Sequence, residues 1–262
     1  MPSTASKKKS KTPQRSKRRT LLDPNVAFQV TEAYKNLRTN LTFALSTKKN
    51  NIFAVSSALA SEGKSTASAN IAITLAQTNS KVLLIDCDLR KPVQNKMFKL
   101  KNNKGLSTLL GGIHSFKEVV NEKVIPYLDI VTSGPIPPNP SEMLGSDNMK
   151  VLLEELSKYY DYVLLDTPPV NVVTDALTLL GNIAGVVLIA KHDSTTYDAL
   201  GEAIDAIKFA NGSILGVVVN NVDITGGKYG KYGKYKYKYN YEYSYGNNSS
   251  AAPISQQVKS SK

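Results

Sequence analysis

The sequence predicts an α/β fold built on a mostly parallel sheet flanked by helices, and three observations carry that expectation. Short, nearly all-apolar runs recur along the chain, they alternate with stretches of helical length, and a Gly-Lys-Ser turn joins the first run to the first such stretch. In chain order, a helix is expected at about 28–46, where Phe28, Leu37, Leu41 and Leu45 form one apolar stripe. The runs 52–56, 82–86, 128–132, 162–166, 185–190 and 214–220 read as strands buried on both faces. Residues 64–79 and 195–211 have the length and spacing of helices.

Composition narrows the class. The chain has 262 residues, 41 % hydrophobic and 21 % charged, which excludes wholesale disorder and fits one sizeable domain with tails. That domain is expected at 26–225, between a basic tail at 1–25 and a tyrosine-rich tail at 226–262. A single cysteine, Cys87, can form no internal disulfide, and the lysines that follow Met1-Pro2-Ser3 replace the apolar core of a secretion signal. The uncharged, largely apolar run 176–190 falls short of the roughly 20 residues a bilayer-spanning helix needs. The expectation is a cytoplasmic protein whose membrane association is peripheral. Its net charge of +12 is concentrated at the ends, with eight Lys/Arg in residues 1–20 and seven Lys against one Glu in 226–262, so the domain itself is close to neutral. Such tails are either simply solvated or drawn to anionic lipid or nucleic acid.

The chemistry-bearing segment follows the first strand. Ala58-Leu59-Ala60-Ser61-Glu62-Gly63-Lys64-Ser65-Thr66 matches a phosphate-binding loop in the strand–loop–helix setting that such a loop requires, with Ala58 in place of the usual first glycine. Backbone amides at a helix N-terminus face a phosphate, Lys64 adds charge to the outer phosphates, and Ser65 offers a hydroxyl to Mg²⁺. Two further strands end in acid: Asp86-Cys87-Asp88-Leu89-Arg90 and Asp166-Thr167-Pro168-Pro169. A lone aspartate at a strand end commonly caps the next helix. Three beside a phosphate loop instead fit a magnesium-bound nucleotide, because parallel sheets bind ligands outside strand C-termini and carboxylate repulsion needs a cation.

Together the phosphate loop, the Asp-x-Asp-x-Arg strand end and the Asp-Thr-Pro-Pro strand end resemble the Walker A, A′ and B motifs of the bacterial tyrosine kinases of capsule and exopolysaccharide synthesis. The likeness extends through 32–41 and 133–144 to the tyrosine-rich tail, and covers about 28–245. By fold that family belongs with the MinD/ParA-type P-loop NTPases; those carry a second loop lysine, where this chain has Leu59, and a partitioning or positioning ATPase of that type is the alternative reading. The resemblance implies ATP and Mg²⁺ as cofactors, with Ser61, Glu62, Gly63, Lys64, Ser65 and Thr66 around the phosphates and Ser65, Asp88 and Asp166 at the metal. It further implies Lys64, Asp86 and Asp88 as catalytic groups, Asp86 being the base, and a class-wide position for Asn220 at the adenine. Arg90 and Lys91 either steady phosphate charge or are solvated.

The tail carries Tyr229, Tyr232, Tyr235, Tyr237, Tyr239, Tyr241, Tyr243 and Tyr245, interleaved mainly with lysine and glycine. The strict alternation of the last six also suits an amphipathic edge strand, and tyrosine with lysine suits single-stranded nucleic acid. Beside an ATP site the tyrosines read as phosphoacceptors, and a partner nucleic acid is not expected. Each phosphate adds about −1.5 to −2 charge, enough for three or four to cancel the +4 of residues 228–245. The resemblance implies phosphorylation between subunits of a ring held partly by Glu32, Lys35 and Arg38. It also implies a membrane-anchored activator, or polysaccharide co-polymerase, that recruits the chain to the inner membrane face, and a cognate phosphotyrosine phosphatase.

Overall fold

The computed structural model describes residues 20–222. The tyrosine cluster and most of the basic N-terminal segment lie outside the described residues. Seven strands form one sheet: β1 (Ile52–Ser57), β2 (Val82–Asp86), β3 (Val120–Ile125), β4 (Leu128–Val131), β5 (Tyr162–Asp166), β6 (Gly185–Lys191) and β7 (Ile214–Asn220). Their spatial order is β3-β4-β2-β5-β1-β6-β7, parallel throughout except for β3 against β4. The long helices are α1 (Phe28–Ser46), α2 (Lys64–Ala76), α7 (Asp147–Tyr159) and α8 (Tyr197–Phe209). Shorter ones are α3 (Gln94–Met97), α4 (Leu106–Leu110), α5 (Phe116–Val119) and α6 (Pro140–Leu144), with a 3-10 helix at Leu177–Asn182.

The central strands are apolar at successive positions because both faces are covered. Phe53 and Val55 of β1 join Leu84 and Leu164 beneath α1 and α2, while Ile52 and Ala54 join Leu83, Ile85 and Leu165 beneath α7 and α8. Helix α2 is lined by small residues, Ala67, Ser68, Ala69 and Ala72 among those buried, so it fits between the sheet and α1. Helices end where backbone chemistry stops them: Asn79 after α2 and Asn211 after α8 adopt positive φ, and Ser146 and Thr196 cap α7 and α8 by accepting from Met149 N and Ala199 N.

Four differences from the sequence-based expectation have physical causes. Strand β3 is an unanticipated antiparallel edge strand. Its half-exposed Val120-Asn121-Glu122-Lys123 run lacks the apolar signature, and its register on β4 shifts between Asn121 and Ile125. Strand β7 is apolar in sequence yet only half covered, as the opposite edge of the sheet. Phe28 does not belong to the buried stripe of α1; it is 71 % exposed, and the stripe consists of Leu37, Leu41 and Leu45. Helix α7 was not anticipated, although Met149, Leu153 and Leu156 give it a buried face.

Candidate active site

Strands β2, β5 and β1 lie side by side and parallel, so their C-terminal ends open at one edge of the sheet. The register sets Asp86 directly opposite Asp166, which at a strand spacing of about 4.8 Å brings two carboxylates together. The loop after β1 turns through Ser61 (φ 67°) and Gly63 (φ 92°) before α2 begins at Lys64. The helix thus starts at the carboxylates, its first-turn N–H groups free of helical partners.

Lys64 Nζ lies 2.8 Å from Asp88 Oδ2 and 3.9 Å from Asp166 Oδ1, and 3.2 Å from Ser65 Oγ. Burial pulls the Lys64 pKa down, but Asp166, Asp88 and Asp86 outweigh it and hold the ammonium above its ordinary value. One cation therefore faces three carboxylates. Asp86 is pushed up to about 7, first by burial and then by Asp166. Its oxygens accept from Asp88 N (3.2 Å), Val93 N (3.1 Å) and Gln94 N (3.0 Å), so it fastens the loop after β2 and caps α3. Of about four lone-pair positions on a carboxylate, three are used.

Two residues that the sequence did not single out complete the site. Ser68 Oγ donates to Asp166 Oδ1 at 3.1 Å, and its place one helical turn beyond Lys64 is the only signal that could have found it. Gln94 is wholly buried, and its Nε2 donates to Asp166 Oδ2 at 2.7 Å and to Ser65 O at 3.0 Å. Gln94 has no sequence signal; its role follows from the capping of α3 by Asp86. Cys87, between the two aspartates, is fully buried with its thiol pKa driven well up by that burial, so it acts as an inert packing group.

Other expected residues have different settings. The Glu62 side chain is buried and braces the loop, accepting from Leu59 N (2.9 Å) and from the Thr195 hydroxyl. Asn220 Nδ2 donates to Glu62 O at 2.9 Å, so the last parallel strand ties down the loop from outside. Ser61 is exposed and Thr66 half-buried. On α1, Lys35 pairs with Glu32 at 2.8 Å, whereas Arg38 donates to Thr74 O at 2.9 Å and is turned onto α2.

The residues present suit a magnesium-bound nucleotide. Among the described residues no group of three His, Cys, Asp or Glu side chains forms a metal cage of its own. Mg²⁺ does not need one, because it typically takes one or two carboxylates, a hydroxyl, several waters and substrate phosphates. Asp88, Asp166 and Ser65 supply the protein share. Two observations fit a cation with its waters here: the surplus of buried negative charge, and Gln94 Oε1, buried without a hydrogen-bond partner.

A strand, a phosphate loop, a helix and two acidic strand ends on a parallel sheet define a P-loop ATPase fold that binds nucleotide. Comparison with known proteins agrees: the family described as AAA domain matches residues 50–211. Tyrosine-protein kinase YwqD of Bacillus subtilis is 40 % identical over 205 residues, covering 78 % of this chain and 85 % of the relative. The putative tyrosine-protein kinase CapB of Staphylococcus aureus is 35 % identical, covering 74 % and 86 %. Among solved structures, the kinase domain of Escherichia coli tyrosine kinase ETK aligns with TM-score 0.72 at 34 % identity, covering 75 % of this chain and 77 % of that one. MinD of Pyrococcus horikoshii shares the fold at TM-score 0.55 and 20 % identity, covering 64 % and 69 %. The chain belongs to the bacterial tyrosine-protein kinase family, and it is an enzyme that transfers phosphate to tyrosine. Among the described residues, no helix is long and apolar enough to cross a membrane.

Proposed function

We propose that the chain is an ATP·Mg²⁺-dependent autokinase that phosphorylates the tyrosine cluster of a neighbouring copy, at Tyr229, Tyr232, Tyr235, Tyr237, Tyr239, Tyr241, Tyr243 and Tyr245. The observation that carries this is the meeting of Lys64 with Asp88 and Asp166 at the start of α2, in a chain whose C-terminal segment places eight tyrosines within 17 residues. Phosphoryl transfer passes through a loose transition state, so positioning and charge neutralisation carry most of the catalysis. Loop amides and Lys64 would hold the phosphates; Ser65, Asp88 and Asp166 would hold the metal. When bound, the ion neutralises charge on the transferring group.

Asp86 is the acceptor of the tyrosine proton. Its pKa near 7 matches a base working at neutral pH, and one lone-pair position is left by its three backbone donors. A tyrosine hydroxyl, with pKa about 10, needs such an acceptor late in transfer. Subunits assemble through the half-exposed Glu32 and the exposed Lys35 on α1, with Arg38 holding that helix on α2. In a capsule or exopolysaccharide system, a membrane-anchored activator recruits the chain to the inner membrane face and a phosphotyrosine phosphatase resets it; nucleic acid is not a partner.

The test is a labelling experiment. Full-length protein with Mg²⁺ and ATP, alone and with an activator fragment, gains phosphotyrosine; Lys64→Met and a chain lacking residues 228–245 do not. Mixing Lys64→Met with the tail-less chain labels the Lys64→Met copy. ATP hydrolysis with no labelled tyrosine would refute the autokinase, and labelling confined to single chains would refute transfer between copies.

A further inference from the structure

Beside the site lies an open groove of about 450 Å³, with Arg90, Lys91, Lys96, Asn95, Asn102 and Ile136 among its lining residues and no acidic side chain. The loop that forms one wall also holds the catalytic carboxylates, through Lys91 N to Asp88 Oδ1 (2.9 Å) and through Val93 N and Gln94 N to Asp86 Oδ2. An occupant of the groove therefore bears on the segment that positions Asp86 and Asp88.

The cations are set for an anion. Arg90 is fixed from behind by Asp175, a fully buried carboxylate that accepts from Nε (2.9 Å) and Nη2 (3.0 Å) and from Ser141 Oγ (2.5 Å). That clamp leaves Nη1 without a partner among the described residues and spends the rotamer entropy of Arg90 on folding rather than on binding. Lys91 and Lys96 form no ion pair among the described residues, so the groove keeps a positive balance after Asp175 is counted. The groove also has an apolar rim in Pro135 and the exposed Ile136. Cations beside an apolar edge suit an aryl phosphate better than a bare phosphate.

The chain supplies such a group. Its tyrosines sit in a segment of charge +4 that the groove repels before phosphorylation and attracts after it, since each phosphate brings about −1.5 to −2 charge. We propose that this groove binds the phosphotyrosyl side chain of an already labelled tail, retaining the product beside the site while a neighbouring tyrosine reacts. The proposal rests on the tail being the acceptor.

Its test does not require activity. Phosphatase-treated full-length protein without nucleotide is titrated with O-phosphotyrosine, tyrosine or inorganic phosphate, followed by amide NMR and calorimetry. O-phosphotyrosine should shift the amides of residues 90–96 and 134–136 and bind more tightly than inorganic phosphate, and tyrosine should not bind. Lys96→Glu, with its Tm checked against the unaltered protein, should weaken O-phosphotyrosine about tenfold by reversing one near-contact charge, while the charge-matched Lys208→Glu on α8 should not. Equal affinity for inorganic phosphate, shifts elsewhere in the fold, or equal loss in the two variants overturns the groove assignment. A chain that binds O-phosphotyrosine here but labels no tyrosine defeats the autokinase reading and leaves the groove standing; the reverse result defeats the groove alone.

Discussion

The clamp between Arg90 and Asp175 predicts an asymmetry between its two partners. Asp175 is 0 % exposed, whereas the Arg90 side chain is 41 % exposed. Replacing the cation with Arg90→Leu strands a buried charge that keeps only the Ser141 hydroxyl, and breaking a buried pair from that side costs about 3–5 kcal/mol. Replacing the anion with Asp175→Asn strands no charge. The amide still offers one acceptor oxygen, and Arg90, already two-fifths in water, turns outward, so the loss is that of charged hydrogen bonds in a screened setting, about 1–2 kcal/mol. The double variant should resemble Asp175→Asn alone, giving a coupling as large as the Arg90→Leu loss itself, about 3–5 kcal/mol. Urea denaturation of full-length protein without nucleotide, with unchanged m-values, measures all three. Equal losses in the single variants, or a greater loss in Asp175→Asn, would refute the claim that the unpaired buried carboxylate sets the cost.

Two further predictions concern the loop and its acids. The Asp86 pKa, about 7 in the folded state, lies above its ordinary value of 3.8, so the folded state binds the extra proton and stability without nucleotide should fall as pH rises from about 4 to about 7. Asp86→Asn should flatten that slope, and Mg²⁺ with ATP should lessen it; thermal melts across this range check both, and a wild-type slope in Asp86→Asn would reject the assignment. Gly63→Ala should lower nucleotide affinity at least about tenfold, because φ is +92° there and a Cβ would meet Asn220 Nδ2 at 2.2 Å. Adding Asn220→Ser should recover only the part due to the clash, as read by nucleotide titration.

Much of the fold is legible because the central strands report burial on two faces, which only apolar side chains satisfy. The ends of β1, β4 and β6 differ from the sequence-based bounds by one residue, and those of β2 and β5 not at all. The signal fades where one face meets water. Strand β3 needs Asn121, Glu122 and Lys123 on a sheet edge, and β7 keeps an apolar sequence while exposing Val217 and Val219, so neither edge is distinguishable by hydrophobic pattern alone.

For the site, the sequence states which strands end in acid but not that β5 inserts between β2 and β1. That insertion is decisive. It sets Asp86 opposite Asp166, and two carboxylates so placed need both an opposing charge and donors that do not come from water. Lys64 supplies the charge, and Ser68 and Gln94 supply the donors. Neither donor belongs to a recognisable motif, because any short donor within reach would satisfy Asp166; geometry chose these two. Asp175 is hidden for the same reason. Its chemistry, a buried carboxylate presenting an arginine fork, is written in the contact with Arg90, 85 residues away in the chain, and only the meeting of the loops after β2 and β5 turns two ordinary charges into a preset wall of the groove.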